Sequence, residues 1–213
     1  MFKKFFVTTI IALFVSHPVF ASNAPKNWTF EPSEAVQVPD DIPFFDEAAE
    51  KHYLEEYEGK TLLIVFWATW CGACVQEMTD LDILQKDFRK LPFTIIPISE
   101  DDQGIKAVEK FYALYEISHL PILHDYRNQL FKAFSVVGMP TSFIVSPEGV
   151  NIGSFKGVVN WHDDNVRKIL LSHITGNPTE PKNSYKSKSL NQIIQPQKPK
   201  EAKSNEQSKK NEE

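Results

Sequence analysis

Apolar and polar positions between residues 59 and 175 switch repeatedly between a strand period and a helix period. Thr61–Trp67 is an unbroken apolar run of strand length, the pattern of a strand buried on both faces. From Gly72 to about Arg89, the residues Cys74, Met78, Leu81, Leu84 and Phe88 fall on one helical stripe. Phe93–Ile98 predicts a second strand, with Pro97 at its end or on an edge, because proline donates nothing to a ladder. Ile105, Val108, Phe111 and Tyr115 return to helical spacing, followed by a short apolar segment, Leu120–Leu123, and a helical turn near Asn128–Phe134. Thr141–Val145 and Val150–Phe155 are joined by Ser146-Pro147-Glu148-Gly149, which has hairpin-turn chemistry. A last helix is predicted from about Trp161 to His173, with Asp163 and Asp164 in its first turn and Gly176 past its end.

Ahead of this block, Ser22–Phe45 holds four prolines and little pattern, and predicts an extended leader lying on the domain or loose. Asp46 is expected to cap a short helix from Glu47 to about Tyr57, with Ala49, Tyr53 and Tyr57 on one stripe and Gly59 ending it. Strand, helix, strand, helix, then hairpin and helix imply an α/β domain with a mixed sheet covered by helices on both faces. About 115 residues suffice for one such domain.

The two ends have different compositions. Residues 1–21 have the form of an export signal: Lys3 and Lys4, an apolar run from Phe5 to Val15, and Val19-Phe20-Ala21 before the expected cleavage. The run falls short of the roughly 20 residues of a spanning helix, so retention as an uncleaved N-terminal anchor is the alternative. Residues 176–213 are rich in Lys, Glu, Asn, Gln, Ser and Pro and predict a disordered basic tail. The tail's eight lysines against five glutamates, and the two signal lysines, leave residues 22–175 with a net charge of −10. That charge argues against a nucleic-acid partner, since phosphate binding is mostly a lysine and arginine effect. An exported, disulfide-permissive compartment, the periplasm, is the expected location.

The chain has two cysteines, both in Trp70-Cys71-Gly72-Ala73-Cys74. A C-x-x-C between a buried strand and a helix start has a physical logic, because the free N–H groups of a helix N-terminus favour an anion. Cys71 at that terminus is expected to have a favoured thiolate and to attack a substrate disulfide; Cys74, one turn inside, is shielded and resolves the mixed disulfide. A zinc knuckle would need two more ligands, for which His119, His124 and His162 are scattered candidates. A purely structural disulfide would close a very small loop, where chain-entropy stabilisation is least. A pair of buried inert thiols would be expected to oxidise on export. A Cu(I)-handling site on the two thiolates is a further alternative. Trp70 is expected to form an apolar rim for substrate polypeptide, and Trp67 to pack in the core.

Phe66-Trp67-Ala68-Thr69-Trp70-Cys71-Gly72-Ala73-Cys74 after Gly59-Lys60 resembles the thioredoxin superfamily, and most closely its exported TlpA/ResA-like branch. Val137-Gly138-Met139-Pro140-Thr141-Ser142-Phe143, with Pro140 sixty-six residues after Cys74, resembles the family's cis-proline loop. The resemblance spans about Gly59–Ile174 and implies a thioredoxin fold and thiol:disulfide oxidoreductase activity. It implies a cis Pro140 facing the cysteine pair, with Met139 pairing with extended substrate and Pro140 and Thr141 beside it. It also implies a proton-managing acid at Glu77, three residues after Cys74; the alternative for Glu77 is a surface residue favoured by the helix dipole. The acid that many cytosolic thioredoxins carry six residues before the first cysteine is replaced by Val65.

Further implied are disulfide-containing exported partners, cytochrome or oxidase assembly among their roles, and a membrane electron donor for re-reduction. No cofactor or metal beyond the cysteine pair is implied, and a monomer is expected. The resemblance departs in three places. The family has a strand pair where residues 47–57 predict a helix. Gly72-Ala73 lacks the motif's usual proline, which leaves a thiol oxidant of the same fold as an alternative to a reductase. No Glu stands between Pro140 and Thr141, which weakens a haem-protein role.

Overall fold

The structure, a computed structural model, describes residues 28–176; the expected export signal, residues 1–21, and all but the first residue of the tail lie outside the described residues. In chain order the elements are β1 (Trp28–Gln37), β2 (Phe44–Phe45), β3 (Lys51–His52), a 3-10 turn (Leu54–Tyr57), β4 (Thr61–Trp67), α1 (Gly72–Phe88), β5 (Phe93–Ser99), α2 (Ile105–Tyr115), β6 (Leu123–His124), α3 (Gln129–Ala133), β7 (Thr141–Val145), β8 (Val150–Gly157) and α4 (Asp164–Ile174). One sheet of eight strands runs β1-β8-β7-β4-β5-β6-β2-β3. The pairs β4–β5 and β5–β6 are parallel and the rest antiparallel, so the sheet is mixed.

β4 shows why the sequence folds this way. Its seven residues are all buried, and they divide by the two-residue strand period between two cores. Leu63, Val65 and Trp67 join Met78, Leu81 and Leu84 of α1, Val108 and Phe111 of α2, and Val166 and Leu170 of α4. Leu62, Ile64 and Phe66 join Leu54, Leu130 of α3, Phe143 and Val145 on the other face. An unbroken apolar strand is therefore required by helices on both sides.

Two segments depart from the sequence pattern. The helix expected over residues 47–57 is instead the β2–β3 hairpin followed by the 3-10 turn, with Phe44 opposite His52 and Phe45 opposite Lys51. Asp46 does cap, but it caps the hairpin turn: its Oδ1 accepts the N–H groups of Ala48 and Glu50, each at 2.9 Å. Ala49 sits at φ +60°, outside the helical region. The patternless leader contains β1, an edge strand on β8. Pro32 is tolerated there because one side of an edge strand has no ladder, and the register shifts between Pro32 and Val36. Gly153 of β8 is required beneath it, since a Cβ would lie 2.6 Å from the Phe30 ring.

Pro97 stands inside β5, at a point where only β4 is paired; β6 joins β5 only at Ile98 and Ser99. The last helix begins three residues later than its apolar pattern suggests. Asp163 is its N-cap, with Oδ1 accepting from the N–H groups of Asn165 and Val166. Trp161 lies in the preceding turn, fully buried against Phe155 at 5.4 Å between ring centroids. Trp67 is also fully buried, between Phe111 and Tyr112.

Candidate active site

The cysteine pair is delivered by the central strand. Beyond β4, Ala68 remains buried and its carbonyl accepts the Cys71 N–H at 3.1 Å, closing a tight turn over Thr69 and Trp70. Cys71 is the N-cap of α1: its backbone is extended, and its Sγ accepts the Cys74 N–H at 3.2 Å. Cys71 and Cys74 form a disulfide with Cα atoms 5.2 Å apart, so the structure is the oxidised state. The two sulfurs are not equivalent. Cys74 is 1% exposed within the core, whereas Cys71 is half-buried beside Trp70, which is 65% exposed. On reduction, an anion at Cys71 would sit where the helix N-terminus and the Cys74 N–H stabilise it, and it is the half a substrate can reach.

Glu77 lies one turn beyond Cys74 and is 1% exposed, which removes the surface alternative. The Val159 N–H donates to its Oε1. Burial pushes its carboxyl up to about 8; the Val159 bond pulls against that shift and Asp80 adds to it. Glu77 is therefore mostly protonated at neutral pH, a proton held one helical turn from the buried thiol. Val65, on the adjacent strand, is 1% exposed and carries no acid.

The Met139–Pro140 peptide is cis, as the resemblance implies. Thr141 is registered opposite Phe66, which puts the start of β7 beside the end of β4, where the turn to Cys71 departs. Met139 and Cys71 both pack, half-buried, on the core that contains Cys74. Pro140 is buried and its carbonyl accepts the Gly157 N–H at 3.2 Å. Among the described residues, no hydrogen bond uses the backbone N–H or carbonyl of Met139. Thr141 is 6% exposed and its hydroxyl donates to the Gly138 carbonyl at 2.7 Å, so its side chain braces the loop. Val137, in the same loop, is 93% exposed.

Two acids just past the end of β5, Glu100 and Asp101, are also buried, and the sequence pattern does not mark either as a site residue. Glu100 is 4% exposed, and neither carboxylate oxygen has a hydrogen-bond partner among the described residues. Burial pushes it up to about 8, with Asp125 and Asp101 adding to the shift and Lys132 opposing it. Asp101 is 3% exposed and bonded to Thr69. Nothing in the residue pattern separates a buried Ser-Glu-Asp from a solvated loop start. His119 is tied to Asp82 at 2.8 Å, and His124 to the Asp101 carbonyl at 2.9 Å. Among the described residues, one group of metal-ligand type, Asp46, Glu50 and His52, has donor atoms within 4.8 Å of one another, and it contains neither cysteine.

Residues 35–151 match the AhpC/TSA family. The thiol-disulfide oxidoreductase ResA of Bacillus cereus is 29% identical over 131 residues, 60% of this chain and 75% of its own. The thioredoxin-like protein YneN of Bacillus subtilis is 33% identical over 118 residues, 55% of this chain and 68% of its own. A DsbE-type thiol:disulfide interchange protein of Chlorobium tepidum has the same fold: TM-score 0.60, 21% identity, 67% of this chain and 99% of that one. The thioredoxin fold, the disulfide at a helix N-cap and these similarities agree. The chain belongs to the AhpC/TSA family, as a thiol-disulfide oxidoreductase of the ResA type with its redox pair at Cys71 and Cys74.

Proposed function

We propose that this protein is exported and reduces disulfides of other exported proteins, those of cytochrome or oxidase assembly included. The observation that carries this reading is the asymmetry of the pair, with Cys71 accessible at the N-cap of α1 and Cys74 buried behind it. In the reduced protein the Cys71 thiolate attacks one sulfur of the substrate disulfide, forming a mixed disulfide and releasing a substrate thiolate. Cys74, deprotonated, attacks the Cys71 Sγ, and the second substrate thiolate leaves. The two protons lost by the pair end on the two substrate thiols. Glu77 relays one of them: its ionised minority takes the Cys74 proton during resolution and passes it on to the departing substrate thiolate, so Glu77 ends the step as it began, and a membrane dithiol that reduces the pair again brings two protons of its own. Trp70 supplies an apolar contact for the substrate. The open backbone of Met139, in the loop fixed by Pro140 and Thr141, pairs with an extended segment next to the substrate cysteine.

The equilibrium potential of the pair tests the direction of the reaction. A value near −270 mV or below, in the range of about −270 mV for reducing thioredoxins, supports reduction; one near about −120 mV, as in strong oxidants, would assign the protein to thiol oxidation instead.

A further inference from the structure

Asp101 has no role in the scheme above, yet its carboxylate is fully engaged. Oδ1 accepts the Thr69 hydroxyl at 2.5 Å; Oδ2 accepts the Thr69 N–H at 3.0 Å and the Ser99 hydroxyl at 2.8 Å. The Asp101 N–H returns a bond to the Ser99 Oγ at 3.2 Å. Its carbonyl accepts the Gly104 N–H at 2.8 Å and His124 Nε2 at 2.9 Å, the latter fixing the proton on that ring nitrogen. One residue earlier, the Glu100 N–H donates to the Trp67 carbonyl at 2.9 Å. The end of β5 thus grips the chain on leaving β4, and Asp101 holds the first inner residue of the turn that ends on Cys71.

We infer that Asp101 is a positioning residue for the attacking thiol, acting through the backbone and hydroxyl of Thr69. The inference rests on Cys71 being the nucleophile. The cap geometry explains how a residue that does not touch sulfur can matter. The Cys71 Sγ benefits from the helix N-terminus only where the Ala68–Cys71 turn places it, 3.2 Å from the Cys74 nitrogen. Displacing a reacting atom by about 1 Å can cost on the order of a hundredfold in rate. A buried acid is expensive to keep unless its bonds are needed, and here three donors converge on it.

The test is alkylation of the reduced full-length protein by iodoacetamide across pH, with the labelled cysteine identified by mass spectrometry. The ionisable groups nearby are Glu100 beside Asp101, His124 and Asp125 on the β6 side, Lys132 on α3 and Glu77 on α1, and they are present in every variant. Thr69→Val and Asp101→Ala are expected to move the Cys71 midpoint upward and to slow its reaction at neutral pH by on the order of tenfold. Thr69→Ser restores the hydroxyl bond and is expected to return the midpoint toward wild type. So is Asp101→Asn, whose amide can accept from the Thr69 N–H and donate to its hydroxyl. Removal of the negative charge alone would instead lower the midpoint in both Asp101 variants, and that result overturns the inference. So does a wild-type midpoint and rate in Thr69→Val, whatever happens to its melting temperature. Should Asp101→Ala not fold, Thr69→Val and Asp101→Asn decide. First labelling at Cys74 in wild type would refute the assignment of the nucleophile itself, a result distinct from unchanged labelling of Cys71 in the variants.

Discussion

Replacing Glu77 by glutamine isolates the energetic consequence of burying that acid. A carboxyl raised from 4.5 to about 8 on folding binds its proton more tightly in the native state. The native state is therefore favoured fully below the unfolded value, and the advantage is lost as pH rises through about 8. At about 1.36 kcal/mol per unit, the shift makes wild type weaker at pH 7.5 than at pH 5 by at most about 3 kcal/mol, with local relaxation reducing that to about 2. Glutamine has nearly the same volume, still accepts from the Val159 N–H, and does not titrate. In urea unfolding of the oxidised proteins, Glu77→Gln is expected to match wild type near pH 5 and to exceed it by about 2 kcal/mol near pH 7.5. Subtracting the two proteins cancels the other titrating groups, among them Glu100, whose raised carboxyl contributes a slope of the same sign. A stability difference that stays constant from pH 5 to 7.5 would show that Glu77 is not held protonated, and would remove the physical basis for its role in moving the Cys74 proton.

Other substitutions probe the parts that hold the site. Trp161→Ala should destabilise the domain by about 3–5 kcal/mol in the same urea assay, because it empties a fully buried site against Phe155 and the α4 core. Asp82→Ala should cost about 1–3 kcal/mol, since one carboxylate accepts the backbone N–H groups of Ser118, His119 and Leu120 and the His119 ring. Burial alone would raise Asp82, but the hydrogen bonds from His119 and Ser118 outweigh it and hold it below its usual value. Its contribution is therefore present above the unfolded pKa and fades as pH falls, so Asp82→Ala and wild type should converge in acid; a gap independent of pH would contradict this.

The domain from β4 to α4 was legible because its elements obey one period each. Leu63, Val65 and Trp67 face one core and Leu62, Ile64 and Phe66 the other, so the apolar run could belong only to a strand covered twice. The C-x-x-C was legible for the same reason, since a buried strand and a helical stripe on either side of Cys71 and Cys74 leave the pair at a helix start. The β2–β3 hairpin was misread because Asp46, Ala49, Tyr53 and Tyr57 mimic a capped helical face over a stretch too short for periodicity to decide. There the resemblance, which implies a strand pair, was the better guide. β1 was hidden because an edge strand largely exposed on both faces carries little alternation. Glu77 was found by its spacing from Cys74, but its burial depends on Val159, eighty-two residues away, and that contact leaves no mark on the local pattern. Asp101 and Thr69, separated by thirty-two residues, were missed for the same reason.

The central claim is a division of labour: Cys71 attacks and Cys74 resolves. Reduced Cys74→Ser and Cys71→Ser proteins, each incubated with the disulfides of insulin and separated without reductant, test it directly. Cys74→Ser is predicted to accumulate a mixed disulfide through Cys71 that dithiothreitol releases, and Cys71→Ser to accumulate little, its remaining thiol being 1% exposed in the folded domain. Equal trapping by both variants, or trapping by Cys71→Ser alone, would contradict the account.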